Sequence, residues 1–132
     1  MVSLDTNVLV RFLVKDDENQ YQTVLNFLMN LENKNAQAYI PLLVVLEVNW
    51  VLSFRYKITR IDIIEQLLEL MENPVFCFES QTKLEQVLLS AKTNTYDLSD
   101  LLIACRCQSA NNLPVMTFDK KASKHLNFEL LE

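Results

Sequence analysis

The sequence predicts an α/β fold in which helices cover both faces of a central parallel sheet of about five strands, a three-layer α/β/α arrangement. Short apolar runs that suit strands alternate with longer segments whose apolar residues recur at helical spacing. Strands that are joined by helices run parallel, and parallel sheets are covered on both faces. No linker, repeat or low-complexity stretch interrupts the 132 residues, so we expect one domain over residues 1–132.

Each strand candidate is a short apolar run that a polar or turn-forming residue follows. The five candidates cover residues 1–4, 37–40, 74–79, 114–118 and 128–131. Helices are predicted after Asp5, around residues 21–31, over Leu42–Phe54, over residues 60–71, over residues 84–91 and after Asp97. Pro41 suits the first turn of a helix, and Thr59 with Asp62 resembles a capping box.

The composition contains no glycine, whereas ordinary usage is roughly 7%. This absence excludes phosphate-binding loops, dinucleotide-binding fingerprints, nucleophile elbows and standard EF-hand loops, because each needs glycine where the backbone turns sharply or approaches a ligand. Left-handed backbone positions should therefore fall to Asn or Asp. The candidates near the ends of elements are Asn33, Asn35, Asn73, Asn111 and Asn112.

The net charge bears on whether the partner is a nucleic acid, and the cysteines indicate the compartment. The net charge of −5 argues weakly against a nucleic-acid partner, since such proteins usually show a basic surface. No signal peptide is recognised, and the three Cys are interpreted as reduced thiols of a cytoplasmic protein. No apolar run reaches the roughly 18 residues of a membrane helix, so no membrane partner is expected.

Acidic side chains recur where an α/β fold binds its ligands. Asp5 and Asp119 directly follow strand candidates, Asp97 and Asp100 lie one turn apart at a helix start, and Glu47 stands among apolar neighbours on a predicted helix. The carboxyl ends of parallel strands meet at one edge of the sheet, which is where ligands bind. Asp5, Asp97 and Asp119 could also be helix caps, and Glu47 could be an ordinary surface residue.

Clustered carboxylates repel each other unless a cation neutralises them. Oxygen ligands select Mg²⁺ or Mn²⁺, and such a metal can activate water for attack on a phosphodiester. The residues alone therefore indicate an acid-lined metal site that suits phosphoryl transfer. His125, the one His, is interpreted as a surface residue.

Four strings resemble the motifs of PIN-domain ribonucleases. "LDTNVLVRFL" is similar to the first motif, "LLVVLEVNWVL" to the second and "YDLSDLLIAC" to the third. "VMTFDKKASKHLNFELL" resembles the closing segment. The order and spacing match over nearly the whole chain, and the length is typical of VapC-type toxins of bacterial toxin–antitoxin pairs.

The resemblance implies which residues form the site. Asp5, Glu47, Asp100 and Asp119 become the catalytic, metal-binding quartet. Thr6, Asn7 and Thr117 become candidates for orienting those carboxylates or water. Asp97 could be either a helix cap or a residue of the site. The implied cofactor is Mg²⁺ or Mn²⁺.

The resemblance also implies an activity and partners. The activity is cleavage of structured RNA, either tRNA or rRNA, by metal-activated water. The implied partners are a small VapB-type antitoxin that inhibits the enzyme and a second copy of the chain in a homodimer.

RNA would need cationic and aromatic side chains near the acids. Arg55 and Lys57 follow the Glu47 helix, while Lys120 and Lys121 follow Asp119, and we hypothesise that they hold phosphates. Tyr56 and Phe118 could stack on bases. Trp50 is interpreted as a core or dimer-interface residue.

Two other functions compete with the nuclease. A haloacid-dehalogenase-like phosphatase also places an Asp after the first strand, but it needs a second Asp two residues later, where this chain has Asn7. A non-catalytic PIN-like binding module is the other alternative. The complete acidic set argues against it.

Overall fold

The computed structural model describes all residues, 1–132. The chain divides into two units, Met1–Gln81 and Thr82–Glu132. Every strand pairing within the two units is parallel, so the predicted α/β class is confirmed.

The first unit alternates strands and helices. Its elements are β1 (Val2–Ser3), α1 (Thr6–Val14), α2 (Glu18–Asn33), β2 (Ala38–Ile40), α3 (Leu42–Phe54), α4 (Arg60–Glu72) and β3 (Phe76–Phe78). The three strands form one sheet in the order β1-β2-β3. Val2 pairs with Ala38, and Ala38 pairs with Phe76 on its other side.

The core of the first unit consists of β2 and the inner faces of the helices. Its fully buried side chains are aliphatic and are Leu9, Ile40, Val45, Val48, Leu52, Ile63, Ile64 and Leu67. Burial of such side chains contributes about 1.5–3 kcal/mol each, which holds α1, α3 and α4 in place. Packing on this core therefore holds α3, while β1 is held by its pairing with β2.

The second unit comprises the later helices and a separate small sheet. Its elements are α5 (Gln81–Ala91, whose first residue belongs to the first unit), α6 (Leu98–Ser109), β4 (Val115–Thr117), a short 3₁₀ helix (Ala122–Lys124) and β5 (Phe128–Leu130). β4 pairs with β5 in parallel, with Val115 opposite Phe128. Ala104, Ala122 and Phe128 form a buried cluster against which Val115 packs.

The number of strands agrees with the sequence, whereas their assembly differs from it. Five strands form, but they belong to a three-stranded and a two-stranded sheet rather than one sheet of about five. Every strand has only two or three residues and is shorter than its sequence candidate, because the flanking residues pass into turns and caps. That residues 1–132 are one domain stays a prediction.

The left-handed backbone positions correct one expectation. Asn35 and Asn111 take positive φ as expected, but Lys15, Lys57 and Ser80 do so as well. Lys15 ends α1 at φ 61°, the conformation for which helices usually recruit glycine. A chain without glycine thus uses ordinary side chains at three turns, at a cost of about 1–2 kcal/mol each.

None of the six helices combines the length and the apolar composition that a membrane span requires.

Candidate active site

Asp5 lies where β1 ends and α1 begins. The Leu4 amide donates to the carbonyl of Tyr39 at 3.0 Å, which holds the end of β1 against β2. Asp5 then caps α1, because its Oδ1 accepts a hydrogen bond from the Val8 amide at 3.2 Å. The Asp5 carboxylate is exposed, so its second oxygen is available to a ligand.

Glu47 lies in the middle of α3 and is exposed. Its Oε2 accepts a hydrogen bond from the Thr6 hydroxyl at 3.1 Å. Since Thr6 directly follows Asp5, this bond connects α3 to the first turn of α1 beside Asp5. We call Asp5 and Glu47 the first carboxylate group.

Asp97 and Asp100 lie at the start of α6. Asp97 is the cap of this helix: its Oδ1 accepts from the Ser99 amide at 2.8 Å and from the Asp100 amide at 3.3 Å. Asp100 is the third residue of the helix and is half-buried. Burial raises the pKa of Asp100, and the charges of Asp97 and Asp119 raise it further.

Asp119 follows β4 in a turn built from its own hydrogen bonds. Its amide donates to the Thr117 hydroxyl at 3.0 Å. Its Oδ1 accepts from the amides of Lys121 at 2.8 Å and Ala122 at 3.1 Å, so it caps the segment that leads into the 3₁₀ helix. Asp97, Asp100 and Asp119 form the second carboxylate group, within which electrostatic repulsion acts on Asp100.

The donor chemistry of the two groups fits a hard divalent cation. Every side chain in them offers carboxylate oxygen, which Mg²⁺ and Mn²⁺ prefer, and a cation would relieve the repulsion at Asp100. No three His, Cys, Asp or Glu side chains lie close enough together in this structure to hold a metal ion. The fit therefore rests on donor type and electrostatics, and no complete coordination sphere is formed.

The remaining predicted residues are placed as follows. Asn7 is exposed in the first turn of α1. Arg55, Lys57, Lys120 and Lys121 are all exposed, as phosphate contacts require. The Arg55 guanidinium lies 5.7 Å from the centre of the Tyr56 ring.

A polar network that the sequence does not reveal anchors Tyr56. Its hydroxyl donates to Asp16 Oδ2 at 2.9 Å and accepts from Arg11 at 3.2 Å, and Arg11 also forms a salt bridge with Asp16 at 3.2 Å. The hydrogen bond with Tyr56 and the charge of Asp16 raise the pKa of Arg11. Tyr56 is 40 residues from Asp16, so no local sequence signal could have found this network.

Four aromatic residues correct or narrow the expectations. Trp50 is 59% exposed, so the core interpretation is wrong, and its ring packs on Phe54 instead, with a centroid distance of 4.8 Å. His125 is half-buried rather than on the surface: its Nδ1 accepts from the Asn127 amide, and its ring lies edge-on to Tyr96. The Tyr56 ring is held beneath Arg55, whereas Phe118 is 79% exposed.

The family follows from comparison with known proteins. A model of the PIN domain family matches residues 2–126, which is nearly the whole chain. The chain belongs to the PIN domain family. The resemblance drawn from the four sequence motifs is therefore confirmed.

The PIN domain match includes every residue of both carboxylate groups. A VapC ribonuclease of Aquifex aeolicus (strain VF5) is 24% identical to this chain over 124 residues. The alignment covers 94% of this PIN domain chain and 91% of the relative.

Proposed function

We propose that this chain is a VapC-type endoribonuclease, the toxin of a toxin–antitoxin pair, which depends on Mg²⁺ or Mn²⁺. The observation that carries the proposal is a set of acidic side chains in a PIN domain. Asp5 and Asp100 lie at the starts of helices, Asp119 follows a strand, and a hydroxyl bonds to Glu47. The similarity to a protein named VapC ribonuclease supports the same activity. Membership of this family favours a nuclease over a haloacid-dehalogenase-like phosphatase.

Asp5, Glu47, Asp100 and Asp119 are the residues that we propose hold the metal. When bound, the ion supplies activated water for attack on the phosphodiester and neutralises charge on the phosphate. The protein contributes orientation: the hydroxyl of Thr6 fixes one oxygen of Glu47 at 3.1 Å. Such supporting contacts hold a carboxylate in the geometry that a metal requires.

The second carboxylate group is oriented by backbone contacts. Asp97 caps α6 and so fixes the turn that carries Asp100. Thr117 accepts from the Asp119 amide, which fixes the turn after β4. We propose that Asp97 and Thr117 are positioning residues, as is Asn7 in the first turn of α1.

We propose that the substrate is structured RNA, either tRNA or rRNA. Arg55 and Lys57 supply exposed positive charge after the Glu47 helix, and Lys120 and Lys121 supply it after Asp119. Lysine and arginine bind phosphates through charge and hydrogen bonds, whatever the base sequence. These four residues would therefore contribute affinity rather than specificity.

We further propose a VapB-type antitoxin as the inhibitory partner, a homodimer as the assembly and the cytoplasm as the location. The name of the Aquifex relative supports the antitoxin. Leu43, Trp50 and Phe54 leave an apolar face of α3 exposed, by 66%, 59% and 59%, which suits a protein contact.

The function is tested by incubating the purified chain with total cellular RNA in Mg²⁺ or Mn²⁺, with EDTA in a parallel sample. Wild type should produce discrete fragments, and EDTA should abolish them. Asp100→Asn should lower the cleavage rate at least a hundredfold, because it removes one proposed ligand charge.

Asp62→Asn is the matched control for this assay. Asp62 is the third residue of α4, as Asp100 is of α6, and its amide likewise bonds to the cap side chain, at 3.4 Å from the Thr59 hydroxyl. It should cleave as wild type does. Cleavage by Asp100→Asn at the wild-type rate would refute the assignment, and a folded wild type that neither cuts RNA nor binds Mn²⁺ would favour the non-catalytic module.

A further inference from the structure

We propose that Phe118 is the residue that stacks on an unpaired RNA base beside the phosphate to be cut. This inference rests on the proposed ribonuclease function and narrows it to RNA with a single-stranded base at the cleavage site. The four observations that carry it are the exposure of the ring, the hydrogen bonds of the backbone around it, the acid beside it and the two lysines that follow.

Phe118 is the most exposed of the seven phenylalanines. It is 79% exposed, compared with 38% for Phe27 on α2. The ring takes part in none of the aromatic pairs, which involve Phe12, Phe54, Phe76, Phe78 and Phe128 among the phenylalanines. Leaving an aromatic ring in water forgoes a large burial energy, so a ligand that covers it would gain that energy.

The backbone that carries the ring is held on both sides. The Leu131 amide donates to the carbonyl of Thr117 at 2.8 Å, which ties this end of β4 to β5. The Asp119 amide then donates to the Thr117 hydroxyl at 3.0 Å, so Phe118 stands within a closed hydrogen-bonded turn. The backbone at Phe118 therefore loses little conformational entropy when the ring binds a ligand.

The neighbours of Phe118 specify a nucleic-acid ligand. Asp119, the next residue, belongs to the proposed metal ligands. Lys120 and Lys121 follow and are exposed, so positive charge for a phosphate lies within three residues of the ring. A flat apolar ring beside phosphate-binding cations is the arrangement with which proteins bind single-stranded RNA.

The geometry favours an unpaired base over a paired one. A base can cover an aromatic ring only when one of its faces is free, and in a duplex both faces are stacked on neighbouring bases. Tyr56, the other candidate for base stacking, is half-buried, and its hydroxyl bonds to Asp16 and Arg11 while its ring lies beneath Arg55. Phe118 therefore remains as the free stacking surface among the two candidates.

The experiment measures binding and stacking separately from cleavage. Every protein carries Asp100→Asn, so the RNA is not cut, and the probe is a short single-stranded RNA with one 2-aminopurine, whose fluorescence falls on stacking. The parent protein should bind the probe and quench its fluorescence. Phe118→Ala should bind the probe about tenfold more weakly and should not quench it. Phe118→Tyr should bind within about twofold of the parent, since it keeps the aromatic face.

Further variants separate stacking from other contacts. Phe118→Leu keeps an apolar side chain and should lose the quenching. Lys120→Glu with Lys121→Glu should reduce the dependence of affinity on salt while the quenching remains at saturating protein. Phe27→Ala removes an exposed aromatic residue elsewhere and should leave affinity and quenching unchanged.

The outcomes distinguish this inference from the proposed function. If wild type cuts cellular RNA while Phe118→Ala binds and quenches the probe as the parent does, the stacking role is refuted and the nuclease stands. The stacking role would also be refuted if the protein quenched a fully duplexed probe equally, or if it did not bind RNA. If wild type cuts nothing but the probe is quenched through Phe118, the nuclease and the cleavage-site role are both refuted, and only RNA stacking by Phe118 stands.

Discussion

Asp100 combines a partly buried position with two nearby acids. Burial and the charges of Asp97 and Asp119 raise its pKa, so ionised Asp100 destabilises the folded chain when no cation is present. Residues that bind a cation often carry such a cost, because the ligand-free protein must hold like charges together. Asp100 should therefore affect stability and metal binding in opposite directions.

Replacing Asp100 by Asn should raise the melting temperature of the metal-free protein at pH 7. The folded chain binds this proton more tightly than the unfolded chain, so stability is lost as pH rises through the raised pKa. The gain from the variant should disappear by about pH 3, below the ordinary pKa of Asp. Thermal unfolding in EDTA at the two pH values measures both effects.

Asp62→Asn gives the contrast for that measurement. The Asp62 charge favours the positive N-terminus of α4, so its loss should lower the melting temperature at pH 7. If Asp100→Asn lowered the melting temperature as much as Asp62→Asn does, the result would contradict the repulsion at Asp100.

Thr6 is the residue through which α1 orients Glu47. Thr6→Val keeps the shape of the side chain and removes the hydroxyl that donates to Glu47. We expect about a tenfold loss of Mn²⁺ affinity, the scale that such supporting contacts typically show. Calorimetric titration measures this loss, and Thr23→Val is the control, since the Thr23 hydroxyl bonds only to the carbonyl of Asn19 within α2. Equal affinities of wild type and Thr6→Val would show that the bond does not orient Glu47.

Among the elements, α3 was the most predictable. The structure gives Leu42–Phe54, the same bounds that its apolar run and Pro41 predict. The caps at Asp5, Thr59 and Asp97 were also predictable, because a polar side chain before an apolar helical run satisfies free amides. These signals are local and can therefore be recognised in a single sequence.

Contacts between distant parts of the chain could not be predicted in this way. The sequence gives no sign that Tyr56 bonds to Asp16, or that the ring of His125 lies edge-on to Tyr96. Trp50 was interpreted as a core or dimer-interface residue, and the core alternative is wrong because α3 turns it towards solvent. The sequence positions of the acids were recognisable. Thr6 was expected to orient a carboxylate or water, but its bond to Glu47 in particular could not be predicted.

The network around Tyr56 connects α1, the loop before α2 and the loop after α3. Tyr56→Phe removes both hydrogen bonds of the hydroxyl while the salt bridge of Arg11 with Asp16 remains. We expect the free energy of unfolding to fall by about 1–2 kcal/mol, measured by urea denaturation. Tyr21→Phe should change it little, because Tyr21 makes ring contacts with Phe12 and Lys15 and no hydroxyl bond. An unchanged value for Tyr56→Phe would show that the network contributes nothing.

For the whole molecule, the net charge of −5 is the property that first argues against RNA. Four of the 17 acidic side chains belong to the proposed metal ligands, whose charge a bound cation would offset. Five of the nine exposed lysines and arginines follow α3 or β4, namely Arg55, Lys57, Lys120, Lys121 and Lys124. If those four acids bind a cation, the net charge is a poor argument against an RNA substrate.

The central claim is that both carboxylate groups bind the metal. Calorimetric titration with Mn²⁺ tests it through one variant from each group, Glu47→Gln and Asp100→Asn. The controls are Glu65→Gln and Asp62→Asn, which are exposed acids on α4. We predict that each site variant raises the Kd for Mn²⁺ at least about tenfold while both controls bind as wild type does. Wild-type affinity in either site variant would contradict the claim.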